Sequence, residues 1–185
     1  MAELVGRLGV TAALDDAVGV VKQRGRGLSA GQFLVAVAQA QMFGAQFWTG
    51  LDRRRADAVG EALSVVATPA STTAVQLAGR FGPVQVAGIG EGVGELICRV
   101  VGLLPAARQT GLRAGGATID LDGTDVECYG AGKEGIAYNY KGQRSGRPHV
   151  ATWAEAGVVT AADLPAGDED PRPGAGCCAS FGVRT

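Results

Sequence analysis

Thr118-Ile119-Asp120-Leu121-Asp122-Gly123-Thr124-Asp125 is the stretch on which the reading of this chain turns. From Ala117 to Asp122 apolar and polar residues alternate at a period of two, the pattern of a β-strand with two unlike faces. Residues two apart share a face, so Asp120 and Asp122 point the same way, and Gly123 lets the chain turn at the strand's end. Two carboxylates so placed suit a hard divalent cation. Mg²⁺ takes one or two protein carboxylates and fills its remaining positions with water or phosphate oxygens. The same residues fit a plainer account, in which Asp120 and Asp125 face solvent and Asp122-Gly123 is simply a turn.

Upstream the periodicity is helical. From Thr11 to about Leu104 apolar residues recur at three and four positions, with Gly and Pro at the joins, which predicts a helical bundle. Ser29 is an N-cap candidate for a long helix running through Phe33, Leu34, Val37 and Met42 towards Trp48 and Leu51, with Asp52-Arg53-Arg54-Arg55-Ala56-Asp57 as its polar end. Further helices are expected over 58–66, over 72–81 with Ser71 as cap, and over 90–104, with the glycines from Gly88 to Gly94 forming a loop and helix start. Pro105 to Gly116 then leads into the first strand. More extended segments are expected around 136–140 or 150–153 and at 158–164, separated by turns at Gly142 and Gly157. The organisation read from the pattern is a helical region over 1–110, the opening strands of an α/β sheet over 111–173, and a segment over 174–185 with neither periodicity.

Composition constrains this picture without deciding it. Of 185 residues 46% are hydrophobic but only 5% aromatic, so the core must be built from small aliphatic side chains, each burying modest area. A formal charge of -1 with a single His gives no basic footprint that would by itself announce a nucleic-acid partner. The cysteines at 98, 128, 177 and 178 form no Cys-x-x-Cys pair and read as reduced cytosolic thiols. The first residues lack the basic start and apolar run of a signal peptide, and no stretch reaches the ~20 apolar residues of a membrane helix. A soluble, cytoplasmic chain with no membrane partner is the expectation.

The blocks around the acids carry more. Thr118-Ile-Asp-Leu-Asp-Gly-Thr-Asp-Val-Glu followed by Tyr129-Gly resembles the first catalytic segment of bacterial insertion-sequence DDE transposases, of the DDE group 1 type. Gly135-Ile-Ala-Tyr-Asn-Tyr-Lys-Gly-Gln-Arg, Gly146-Arg-Pro-His-Val-Ala-Thr-Trp-Ala-Glu, Ala161-Ala-Asp-Leu and Ala166-Gly-Asp-Glu-Asp-Pro-Arg resemble later blocks in the same order. Arg53-Arg54-Arg55-Ala-Asp and Pro69-Ala-Ser-Thr-Thr are similar to the helical N-terminal region, so the likeness extends from Leu4 to Pro173.

The resemblance implies an α/β fold, with a helical N-terminal region followed by the first strands of an incomplete ribonuclease H-like domain. It makes Asp122 the first catalytic, metal-binding acid, with Asp120 as runner-up, and Mg²⁺ the cofactor of intact relatives, which cut and rejoin DNA at transposon ends. The family's other two acids have no match here, so the expectation is a truncated and inactive copy. On that account 174–185 is an aberrant tail of the kind a reading-frame shift would produce. Asp163 does not qualify as a missing acid and reads as structural.

Lys133, Lys141, Arg144 and Arg147, with Tyr138, Tyr140 and His149, form a basic and aromatic cluster suited to DNA phosphates, or else a solvated hairpin. The resemblance gives the helical region over 1–110 a role in binding DNA ends, and the Arg53–Arg55 run could engage them, but such a run reads first as a solvated helix end; Trp48 and Trp153 read as core. Two other functions stay open. One is a non-catalytic module that binds DNA or pairs with full-length transposase or with its own copies. The other is an unrelated metal-dependent hydrolase drawing ligands from Asp163, Asp168, Glu169 or Asp170.

Overall fold

The computed structural model describes residues 2–22, 25–129, 132–133 and 135–164. Asp168, Glu169, Asp170 and the 174–185 segment lie outside the described residues. The chain divides into two units, Met1–Leu96 and Ile97–Thr185. The division falls inside a helix, Pro83–Gly102.

The first unit is helical, as the periodicity predicts. It comprises α1 (Ala2–Leu8), α2 (Val10–Val18), α3 (Ala30–Met42), α4 (Thr49–Ala56), α5 (Ala58–Ala62), α6 (Ser71–Ala78) and the start of α7 (Pro83–Gly102). Ser29 caps α3 in a reciprocal box: its hydroxyl accepts from the Gln32 backbone N–H, and the Gln32 side chain accepts from the Ser29 N–H. The helix stops at Met42 instead of running on to Leu51. Gly44 adopts φ 83°, a left-handed conformation that suits glycine, and the N–H groups of Gly44 and Ala45 turn back to the Gln41 and Ala40 carbonyls. That fold-back brings Leu51 against Phe33, Ala40, Ala74 and Leu77, the buried centre of the unit. Trp48 stacks on Phe33 with ring centroids 6.4 Å apart yet remains 40% exposed, so it flanks the core and does not fill it.

Two further departures share a cause, a partner distant in sequence. Ser71 is the first residue of α6, not its side-chain cap; its N–H donates to the Asp52 carboxylate of α4 at 2.9 Å. Hydrogen bonds from the Ser71 hydroxyl and N–H hold the Asp52 carboxyl below its ordinary range. The glycines expected in a loop before residue 90 lie inside α7, and Gly88 and Gly92 are buried. A Cβ on Gly88 would lie 2.4 Å from the Ala17 carbonyl oxygen, so these glycines are where α7 crosses α2.

The second unit is a mixture of helix and small antiparallel sheets. It contains α8 (Ala106–Ala114), where the sequence suggested only a lead into the strand. Two three-stranded sheets follow. One has the order β1 (Ile119–Gly123), β5 (His149–Trp153), β6 (Val158–Asp163); the other has β2 (Val126–Glu127), β4 (Arg144–Gly146), β3 (Ala137–Tyr138). Both extended segments left as alternatives, around 136–140 and 150–153, are therefore strands. Among the described residues no helix is long and apolar enough to cross a membrane.

Candidate functional site

The two sheets are joined by one long ribbon. β1 pairs with β5 from Ile119↔Trp153 to Gly123↔His149, and β2 pairs with β4 at Val126↔Gly146 and Glu127↔Ser145 in the same register. Only Thr124 and Asp125, opposite Pro148 and Arg147, interrupt the ladder. The Thr124 N–H reaches the Pro148 carbonyl at 3.2 Å, but proline has no N–H to return the bond.

At this break Asp125 stands directly across from Arg147. Arg147 Nε donates to Asp125 Oδ1 at 2.8 Å, and Asn139 Nδ2 donates to Asp125 Oδ2 at 3.2 Å. The guanidinium bond, ahead of the lesser effect of Asn139, holds the Asp125 carboxyl below its ordinary value. Asn139 is itself buried; its Oδ1 accepts from the backbone N–H of Lys141 and Gln143 and shapes the β3–β4 turn, where Gly142 takes φ 72°. One carboxylate thus ties the hairpin turn to the ribbon's hinge.

The other end of β1 is held by Glu155, in the turn between β5 and β6. Its carboxylate accepts from the Thr118 hydroxyl at 2.6 Å and from the Thr118 N–H at 3.0 Å. The hydroxyl bond first, then the backbone bond, lowers the Glu155 carboxyl from 4.5 to about 2.

Between these two anchors lie Asp120 and Asp122. Both are exposed, and strand alternation puts them on one face above Thr152 and Val150. The Thr124 hydroxyl lies 3.5 Å from Asp122 Oδ2, at the limit of a hydrogen bond. Asp122-Gly123 is not a turn: both residues belong to the paired strand, and Gly123 instead makes room for the His149 ring, which a Cβ there would meet at 3.0 Å. Asp163 ends β6 opposite His149, exposed, with its carboxylate bonded to the Leu164 N–H. Among the described residues no three His, Cys, Asp or Glu side chains converge as a metal site. Asp120 and Asp122 fit a two-carboxylate hold on Mg²⁺, the rest of its octahedron being water or phosphate oxygen.

The four cations expected to meet DNA are sorted by the fold. Lys133 and Lys141 are exposed, and the Lys141 ammonium stands 5.3 Å from the Tyr140 ring centroid. Arg144 is half-buried in β4, and Arg147 is committed to Asp125. Tyr140, Lys141 and Arg147 line a cavity of about 570 Å³ together with Gly123, Thr124 and Asp125. The basic loop thus gathers at the break in the ribbon, beside Asp125. The importance of Asp125 and Asn139 was not read from the sequence; the available signal was Asn139-Tyr-Lys-Gly142, a turn sequence whose Asn also has a side chain to share.

Comparison of the chain with protein-family models, with characterised proteins and with solved structures finds no match.

Proposed function

We propose that this chain is a part of an insertion-sequence DDE transposase, carrying the first acid-bearing strand of a ribonuclease H-like domain behind a helical region. The observation that carries the reading is Asp120-Leu-Asp122-Gly-Thr on the exposed face of β1, staked at both ends by carboxylate clamps. Among the described residues β1 also lies at the edge of its sheet, with no strand paired on its other side. In this reading Asp122 is the metal-binding acid and Asp120 its neighbour. Bound Mg²⁺ would steady the negative charge of a phosphodiester undergoing cleavage or strand transfer. The chain's own residues would then hold the ends of the strand that carries the two carboxylates, and exposed Lys133 and Lys141 would meet DNA phosphates. Because no third acid joins them among the described residues, this chain alone is proposed to bind DNA without cutting it.

A second reading rests on the same open edge: a non-catalytic module that pairs with full-length transposase through β1. One experiment separates the readings. Genomic fragments retained by the purified chain are sequenced, and nicking is followed with Mg²⁺ present. Enrichment of insertion-sequence ends without nicking is expected; retention with no sequence preference would sink the transposase reading. Mn²⁺, standing in for Mg²⁺, should broaden the amide resonances of residues 120–123, and Asp122→Asn should abolish that effect. Retention of ends with no Mn²⁺ response would favour the non-catalytic module.

A further inference from the structure

A second basic site lies wholly within the helical unit. A cavity of about 530 Å³ is lined by Lys22, Arg26, Arg55 and Arg80, with Thr73 and Gln76 on the exposed side of α6. Among the described residues that line it there is no Asp or Glu. Four cations around one cavity are conspicuous in a chain whose formal charge is -1. Asp52 interacts with Arg55 from outside the lining, but the lining itself carries charge of one sign, which favours an anion.

The backbone fixes part of the array. Lys22 Nζ donates to the carbonyls of Arg26 and Leu28, which holds its ammonium beside those residues at the cavity. The Arg53–Arg55 run is divided among separate tasks. Arg54 bonds the Ser64 hydroxyl at 2.6 Å and lies 4.6 Å from the Phe43 ring centroid, while Arg53 is exposed and Arg55 lines the cavity. At the start of α6 the Ser71 N–H is already taken by Asp52, and the charged groups that line the cavity are side chains.

We infer that this cavity binds a phosphate group. Guanidinium forks present paired N–H donors that match tetrahedral oxyanions, and Thr73 and Gln76 add neutral donors for the remaining oxygens. The cavity's volume falls within the ~300–1,000 Å³ of small-ligand sites, so it holds more than a bare ion. The phosphate can belong to a nucleic-acid backbone or to a free phosphate compound, and the same contacts serve both. The inference stands without the transposase reading, because no residue of β1 takes part.

The test uses the full chain and two probes: inorganic phosphate by calorimetry, against chloride at matched ionic strength, and a labelled random-sequence DNA duplex by fluorescence anisotropy. Arg26→Gln with Arg80→Gln is compared with the charge-matched control Arg53→Gln with Arg113→Gln. The cavity variant should lose about tenfold or more in affinity and the control less than about twofold. Gln76→Glu, which keeps side-chain size on an exposed helix face, should weaken binding comparably by placing a carboxylate in the cavity; it serves if the double variant fails to fold. Binding of inorganic phosphate identifies a free phosphate compound as sufficient, and binding of the duplex alone, lost in the cavity variant but kept in Lys133→Gln with Lys141→Gln, identifies the nucleic-acid backbone. If neither probe binds, or if the control loses as much as the cavity variant, the inference is overturned. Neither probe reads cleavage or metal binding, so the outcome is independent of Asp122.

Discussion

Substituting alanine in turn for Gly88, Gly90, Gly92 and Gly94 of α7 should change stability with a sign set by what each position faces. In a free helix each change is favourable by about 1 kcal/mol, because alanine loses less backbone entropy. At Gly90 and Gly94 an added Cβ has nothing within 4 Å, so that gain should be realised. At Gly88 the Cβ would sit 2.4 Å from the Ala17 carbonyl oxygen and 2.9 Å from Val18 Cα. Both atoms are backbone and neither can rotate away, so α7 must lift off α2. Overpacking of that kind costs about 1–3 kcal/mol, which cancels the helix gain and leaves Gly88→Ala a net loss of about 0–2 kcal/mol. Gly92 is intermediate: its Cβ would meet Leu14 Cδ2 at 3.0 Å, the movable end of a side chain, and Ala17 Cβ at 3.2 Å, which can give only slightly, so the two effects should nearly cancel. Urea unfolding followed by far-ultraviolet circular dichroism orders the four variants directly. A shift of about 4–8 °C in melting temperature per kcal/mol, for a unit of this size, gives an independent check. If Gly88→Ala stabilises as much as Gly90→Ala, α7 does not cross α2 there and the packing argument fails.

Two other predictions follow from single hydrogen bonds. Ser29→Ala removes half of the capping box of α3 and should destabilise the helical unit by about 1 kcal/mol, read as a lower urea midpoint with unchanged slope; an unaltered midpoint would show that the box contributes nothing. Glu155 is held below its ordinary 4.5, at about 2, so its contribution is complete above about 4.5 and is lost as pH falls towards about 2. The Thr118 amide resonance should titrate with a midpoint near that lower value; a midpoint at the ordinary value would mean that the Thr118 clamp does not form in solution. Asp125 contributes with the same sign, and its loss on acidification should appear in the Arg147 Nε–H resonance.

How much of this was legible beforehand depended on whether the deciding partner was near in sequence. The cap at Ser29 and the strand at Asp120-Leu-Asp122 were readable, because a capping box spans three residues and alternation is visible in the strand itself. The turn proposed at Asp122-Gly123 was not realised: pairing with Val150 and His149 extends the strand through it, and no local signal specifies a partner about 27 residues away. α8 was missed because Ala-Ala-Arg-Gln-Thr-Gly-Leu-Arg-Ala, with a glycine at its centre, has the composition of a connection.

The sequence by itself determined the order of the parts: helices first, strands after Pro105, and two acids on one face of the first strand. These follow from periodicities of 3.6 and 2, which any segment carries within itself. Only the tertiary structure decided that Arg147 belongs to Asp125, that Arg54 and Arg55 serve different neighbours, that Gly88 is a helix contact and not part of a loop, and that Asp52 meets the first N–H of a helix beginning nineteen residues later. A charged side chain or a glycine has no intrinsic role. Its role is fixed by which atoms the fold brings within about 3 Å, and those atoms come from distant parts of the chain.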